Sequence, residues 1–101
     1  LVQGLGFTLT EDMPMTAGRP LARNFESYLM PTVRDVPERM RATAHEPLDP
    51  TDPFGARGVG ELGIGAVTPA IANAVADALG AWPATTPFPP ETLLAMLEAD
   101  R

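Results

Sequence analysis

Proline and glycine take up a fifth of this 101-residue chain, twelve of the one and nine of the other. Proline lacks the N–H that a helix interior or a central strand requires, and glycine loses more backbone freedom on ordering than any other residue. Regular elements must therefore be short and separated by turns. Leu, Ile, Val and Phe together number 23, just above the roughly 20% below which disorder is the expectation. A single domain of this size buries only roughly 60–70% of its unfolded surface. The core is thin, and part of the chain is expected to be ordered by packing on something else.

Charge narrows the function classes. Thirteen acids face seven bases, all seven of them Arg, and the formal net charge is −6. Nucleic-acid binding rests on basic patches that neutralise phosphates, and anionic membranes attract the same patches, so neither partner suits this chain. With no Lys there is no Walker loop and no Schiff-base chemistry. With no Cys there is no disulfide, thiolate zinc site, iron–sulfur ligation or thiol nucleophile in this chain. No apolar run approaches ~18 residues and no basic n-region with an apolar h-region opens the chain, so the sequence shows neither a membrane span nor a signal peptide. The opening Leu1-Val2-Gln3-Gly4-Leu5-Gly6 starts mid-pattern without Met and reads as a piece of something longer.

Along the chain, residues 1–9 suit either the last turns of a helix ending at Gly4 and Gly6 or an apolar strand. Residues 10–24 read as loop, with Pro14, Gly18, Pro20 and Asn24 as breakers. Residues 25–30 alternate enough for a strand stopped by Pro31, and Pro31 and Pro37 bracket an extended connector. In residues 39–46, Met40, Ala42 and Ala44 fall on one face and Arg39, Arg41, Thr43 and His45 on the other, which predicts a second strand. Residues 46–53 are loop. After the glycine-rich residues 55–65, Thr68 is placed to cap a helix, Pro69 to open it and Gly80 to end it. Ile71, Val75 and Leu79 form its apolar stripe beside Ala70, Ala74 and Ala78. A Pro-rich connector, residues 81–90, leads through Trp82 and Phe88. A last helix runs from about Pro90 to the end, with Glu91 in its first turn and Leu93, Leu94 and Leu97 on its buried side. Met13, Met15, Met30, Met40 and Met96 read as core filler.

Five of the nine glycines lie in residues 55–65, Gly-Ala-Arg-Gly-Val-Gly-Glu-Leu-Gly-Ile-Gly. The letters match G-x-G-x-x-G, but a dinucleotide site needs a buried strand before them and an acidic residue about 20 positions on. An Asp- and Pro-rich loop precedes them and Ala-Trp-Pro follows, so that reading fails. Two readings stay open. One is a flexible turn with a solvated Glu61. The other is a glycine-walled pocket presenting one carboxylate, which desolvation would turn towards use as a base.

Other constellations are weaker. His45, Glu46, Asp49 and Asp52 can be drawn as a metal site, but with two prolines intervening they read as a solvated acidic loop. Ser27 and His45, the only Ser and His, lack a nucleophile elbow. Arg19 and Arg23 suit an anion clamp or plain surface ion pairs, and Arg57 stands beside the glycine-rich stretch, where a ligand or cofactor would lie.

The run Pro53-Phe54-Gly55-Ala56-Arg57-Gly58-Val59-Gly60-Glu61, followed by Pro69-Ala70-Ile71-Ala72-Asn73-Ala74-Val75, resembles the C-terminal part of the large subunit of xanthine dehydrogenase and aldehyde oxidase-type molybdenum hydroxylases. Val2-Gln3-Gly4-Leu5-Gly6, Leu9-Thr10-Glu11, the stretch from Asn24-Phe25 to Thr32, and Asp35-Val36-Pro37-Glu38 resemble the segment upstream of it. The resemblance implies an α+β piece of a larger molybdopterin-binding domain: short strands and long loops in residues 1–54, a catalytic loop and helix in 55–80, and a connector and terminal helix in 81–101. It implies that Glu61 is the general base for hydroxylating a heteroaromatic or aldehyde carbon with water as oxygen source. Gly58, Val59 and Gly60 would present their backbone to the cofactor, with no metal ligand from this chain. The cofactor would be molybdopterin, as such or as its cytosine dinucleotide, carrying molybdenum. The 2Fe-2S clusters and FAD would lie on other domains or subunits, and the partners would be those, the remainder of the large subunit and a small-molecule substrate. A cytoplasmic location is expected, with the periplasm left open. Lys is common in the family where Arg57 stands, and Pro-Pro is common after the Glu in xanthine oxidases where Leu62-Gly63 stands, so substrate class stays open. The alternative is a structural or subunit-docking fragment, inactive on its own.

Overall fold

A computed structural model of the chain describes residues 1–99. In chain order it has helix α1 (Val2–Leu9), strands β1 (Met15–Thr16) and β2 (Arg19–Pro20), and helices α2 (Val67–Leu79) and α3 (Pro90–Ala99). The α+β class holds at this coarse level. The expected helix α3 is present through Ala99, and the last two residues, to which the sequence pattern extends it, lie outside the described residues.

Helix α1 does not end at its glycines but runs through both. Each costs about 1 kcal/mol relative to Ala in a helix interior, and what it returns is proximity. A Cβ on Gly4 would stand 2.6 Å from Cβ of Val67, and one on Gly6 would stand 2.6 Å from Cδ of Pro31 and collide with the Glu11 carboxylate. The missing side chains let α2 and Pro31 reach the helix backbone.

The only paired strands among the described residues are β1 and β2, antiparallel with Met15 opposite Pro20 and Thr16 opposite Arg19. Ala17 and Gly18, both at positive φ (49° and 76°), make the two-residue turn whose twist matches a hairpin. The breakers in this segment predict loop, and the hairpin is a correction to that.

Neither expected strand forms. In residues 25–30 the Asn24 carboxamide oxygen accepts the N–H groups of Glu26 and Ser27, each at 3.2 Å, which curls the chain into an Asx turn. The Thr10 hydroxyl then donates to the Leu29 carbonyl at 2.7 Å, and the Tyr28 hydroxyl to Glu11 Oε2 at 2.7 Å. Residues 39–46 form no strand, with Arg39 in a bend and Met40 half exposed. Their apolar face is mostly alanine, and no described strand offers them an edge. The connector between Pro31 and Pro37 is likewise a turn, closed by Asp35 accepting the N–H and hydroxyl of Thr32, both at 2.7 Å.

Helix α2 begins one residue before the expected cap. Ala66 holds the N-cap without a side-chain bond, Thr68 lies in the first turn, and Pro69 needs no N–H there. Gly80 ends the helix as expected, left-handed at φ 70° with its N–H on the Ala76 carbonyl at 2.9 Å. The stripes of α2 and α3 face an open groove of about 980 Å³, lined by Ile71, Val75, Leu79, Leu93, Leu94 and Leu97 among others. Leu94 and Leu97 are therefore exposed, not buried as expected, because no described segment covers that side.

The only fully buried side chains among the described residues are Phe88 and Thr8. The Phe88 N–H donates to the Thr8 carbonyl at 2.9 Å, tying the connector to α1. Trp82 stays outside, and Met13, Met15, Met30 and Met40 are each about half exposed, so four of the five methionines fill no core. No described helix is long and apolar enough to cross a membrane.

Candidate functional site

The glycine-rich stretch lies between the self-held 49–55 loop and the start of α2. Asp49 Oδ1 accepts the Thr51 N–H at 2.9 Å and its hydroxyl at 2.6 Å, and Asp52 Oδ1 accepts the Phe54 N–H at 3.0 Å. These carboxylates hold their own turns. Among the described residues no three His, Asp or Glu side chains converge. The Thr51 hydroxyl, then its N–H, hold the Asp49 carboxyl below the ordinary carboxylate range. Arg57 reaches Asp49 Oδ2 at 3.5 Å with both side chains well exposed, a pair of little energetic weight.

Beyond Arg57 the chain enters a series of turns. The Leu62 N–H donates to the Val59 carbonyl at 3.3 Å, Ile64 to Glu61 at 3.1 Å, and Val67 to Ile64 at 3.0 Å. Only Gly55 in this stretch has a positive φ (62°). Gly58, Gly60, Gly63 and Gly65 adopt torsions open to any residue, so backbone freedom is not what glycine provides there. A Cβ at any of the four would meet nothing within 4 Å. What glycine leaves is bare backbone facing open space.

Glu61 stands exposed in the middle of this bare run. Val59 and Leu62 flank it, 65% and 76% exposed, with Phe54 at 89% before them. Of the two open readings, the exposed carboxylate matches the turn with a solvated Glu61; no pocket encloses it, because no described segment lies over the loop. Gly58, Val59 and Gly60 lie exposed just before Glu61.

The other candidates lie elsewhere. Ser27 is tied into the Asn24 turn through both its N–H and its hydroxyl. Arg19 sits in β2 and His45 in the exposed unpaired stretch. One threonine that the sequence does not mark out, Thr8, meets the expected cap Thr68: Thr8 Oγ1 donates to the Gly4 carbonyl at 2.6 Å and lies 2.8 Å from Thr68 Oγ1. The available signal is a Gly and a Thr four apart in a short apolar helix, the spacing of a side chain bonding back to a carbonyl one turn earlier.

A family model described as a molybdopterin cofactor-binding domain matches residues 1–37. A probable xanthine dehydrogenase subunit of Bacillus subtilis (strain 168) is 47% identical over 94 residues, covering 93% of this chain and 12% of the relative. A probable hypoxanthine oxidase of Escherichia coli K12 is 37% identical over 98 residues, covering 96% of the chain and 10% of the relative. The gamma subunit of the 6-hydroxypseudooxynicotine dehydrogenase complex of Paenarthrobacter nicotinovorans is 38% identical over 79 residues, 77% of the chain and 10% of the relative. The chain spans about a tenth of the length of these curated relatives. With a cofactor-binding family model over its first third and three relatives aligned across the glycine-rich loop and α2, the chain belongs to the molybdopterin-binding xanthine dehydrogenase family.

Proposed function

We propose that this chain forms one wall of the active site of a molybdenum hydroxylase, with Glu61 as general base and the backbone of Gly58, Val59 and Gly60 against the cofactor. The observation that carries this is the bare backbone at Gly58, Gly60, Gly63 and Gly65 around one carboxylate. A large planar group fits such a surface, since a Cβ at any of those positions would project into the open space it needs. The molybdenum–pterin group, as such or as the cytosine dinucleotide, supplies when bound the two-electron redox chemistry that hydroxylation with water as oxygen source requires. Glu61 takes up, at a carboxylate oxygen, the proton released as water-derived oxygen attacks an electron-poor heteroaromatic or aldehyde carbon. Covering the loop would dry that carboxylate and strengthen it as a base. Val59 and Leu62 would then border the pocket as apolar walls. The remainder of the subunit would complete the site, and iron–sulfur and FAD domains or subunits would carry the electrons away.

Exposed apolar side chains along the chain, Phe7, Phe54, Trp82 and Leu94 among them, favour a second reading, a structural or subunit-docking segment without catalysis. Glu61→Gln in the loaded protein separates the two. A general base contributes typically 10²–10⁴-fold, so turnover is expected to fall by about that factor while molybdenum content stays at the wild-type level. Near-normal turnover with full molybdenum supports the docking reading instead.

A further inference from the structure

We propose that Thr8 and Thr68 form a clamp that positions Glu61, an inference that rests on Glu61 being the base. Thr8 is fully buried in α1. If its role were only to fill space, Val would match its shape and bring no hydroxyl to satisfy. Its one hydroxyl hydrogen goes to the Gly4 carbonyl at 2.6 Å, so the proton in the 2.8 Å bond between the two hydroxyls comes from Thr68. The Thr8 carbonyl also accepts the Phe88 N–H at 2.9 Å. Three segments far apart in sequence thus meet on one residue.

The bond fixes the first turn of α2, and bare Gly4 lets Val67 close onto α1 beside it. From Val67 backwards the chain is tied in steps, Val67 N–H to the Ile64 carbonyl and Ile64 N–H to the Glu61 carbonyl. Glu61 therefore stands two hydrogen-bonded turns ahead of the clamp. Among the described residues no side-chain hydrogen bond holds residues 58–66, the last being Arg57 with Asp49 before them. The place of Glu61 is inherited from the N-terminus of α2. Thr8 and Thr68 are positioning residues, not catalytic ones.

The test uses the cofactor-loaded protein. Thr68→Val removes the bond between the hydroxyls and leaves Thr8 donating to Gly4; Thr68→Ser restores it. Amide hydrogen exchange at Ile64 and Val67 is expected to quicken at least about tenfold in Thr68→Val. Misplacing a catalytic group by about 1 Å costs up to ~10²-fold, so kcat should fall roughly 10- to 100-fold with KM changing less. Thr68→Ser should return both values towards wild type. Thr68→Ala is a second variant read in the same way, and exchange is measured on the loaded fraction so that poorer loading does not hide the result. Unchanged exchange at the two amides overturns the clamp, whatever Glu61 does. Quickened exchange with unchanged kcat overturns the positioning role. Near-normal turnover of Glu61→Gln would instead remove the base assignment on which the inference rests.

Discussion

Asp35 and Asp49 each close a turn with a threonine two or three residues away, but through different leading contacts. Both carboxyls sit below their ordinary 3.8. For Asp35 the backbone N–H of Thr32 is the larger cause and its hydroxyl the smaller. For Asp49 the Thr51 hydroxyl comes first and the N–H second. Replacing Thr32 by Val should therefore release only the lesser part of the shift at Asp35, whereas Thr51→Val should release the greater part at Asp49. Carboxyl-carbon NMR titration of the two variants beside the parent chain checks this; recovery of the greater part of its own shift by Asp35, or of only the lesser part by Asp49, would contradict it. The sign for stability follows. A lowered folded-state pKa stabilises the turn above 3.8, and that contribution disappears as pH falls through the folded value. Tyr28 behaves oppositely. Donating to Glu11 raises it above its ordinary 10.0, so its contribution is complete below 10.0 and lost as pH rises through the folded value.

Helix α1 is where an ordinary rule reverses. Gly→Ala in an exposed helix interior gains about 1 kcal/mol. At Gly4 the new methyl would meet Val67 at 2.6 Å, and overpacking of this kind costs typically 1–3 kcal/mol. Gly4→Ala should therefore destabilise by up to about 2 kcal/mol net, seen as a lower thermal midpoint of the loaded protein; a raised midpoint would show that α1 and α2 are not in tight contact. The same contrast explains which elements the sequence displays. Helices α2 and α3 are legible because Ala-rich or Leu-striped runs, proline at the start and Gly80 at the end all agree. The strands expected at 25–30 and 39–46 are not there because alternation alone does not make a strand. Asn24 offers the first a turn, and the second has nothing to pair with. The hairpin at Ala17 and Gly18 is hidden in the sequence because its strands are two residues each, too short for any periodicity. At the site, Glu61 and its glycines are visible as a composition anomaly. Thr8 is not, since its importance lies in a contact sixty residues away.

At the scale of the whole molecule the thin core becomes a surplus of surface. The chain exposes 8523 Å², against about 5,500 Å² for a folded monomer of its mass. Its radius of gyration is 17.6 Å, against about 13 Å for a compact domain of this length. The difference of about 3,000 Å² on this one side is above the roughly 1,000–2,500 Å² per partner of most obligate interfaces, and the open α2–α3 groove and the bare glycine loop are parts of it. The proline and glycine content that limits the core suits a segment whose order comes from what it packs on. On this reading the glycine-rich loop is one wall of a site shared with the rest of the subunit. Molybdenum and pterin analysis of the purified 101-residue chain, beside the same analysis of the full subunit that carries it, tests this directly. Stoichiometric molybdenum is expected on the full subunit and none on the chain alone. Stoichiometric molybdenum and pterin on the isolated chain would contradict it.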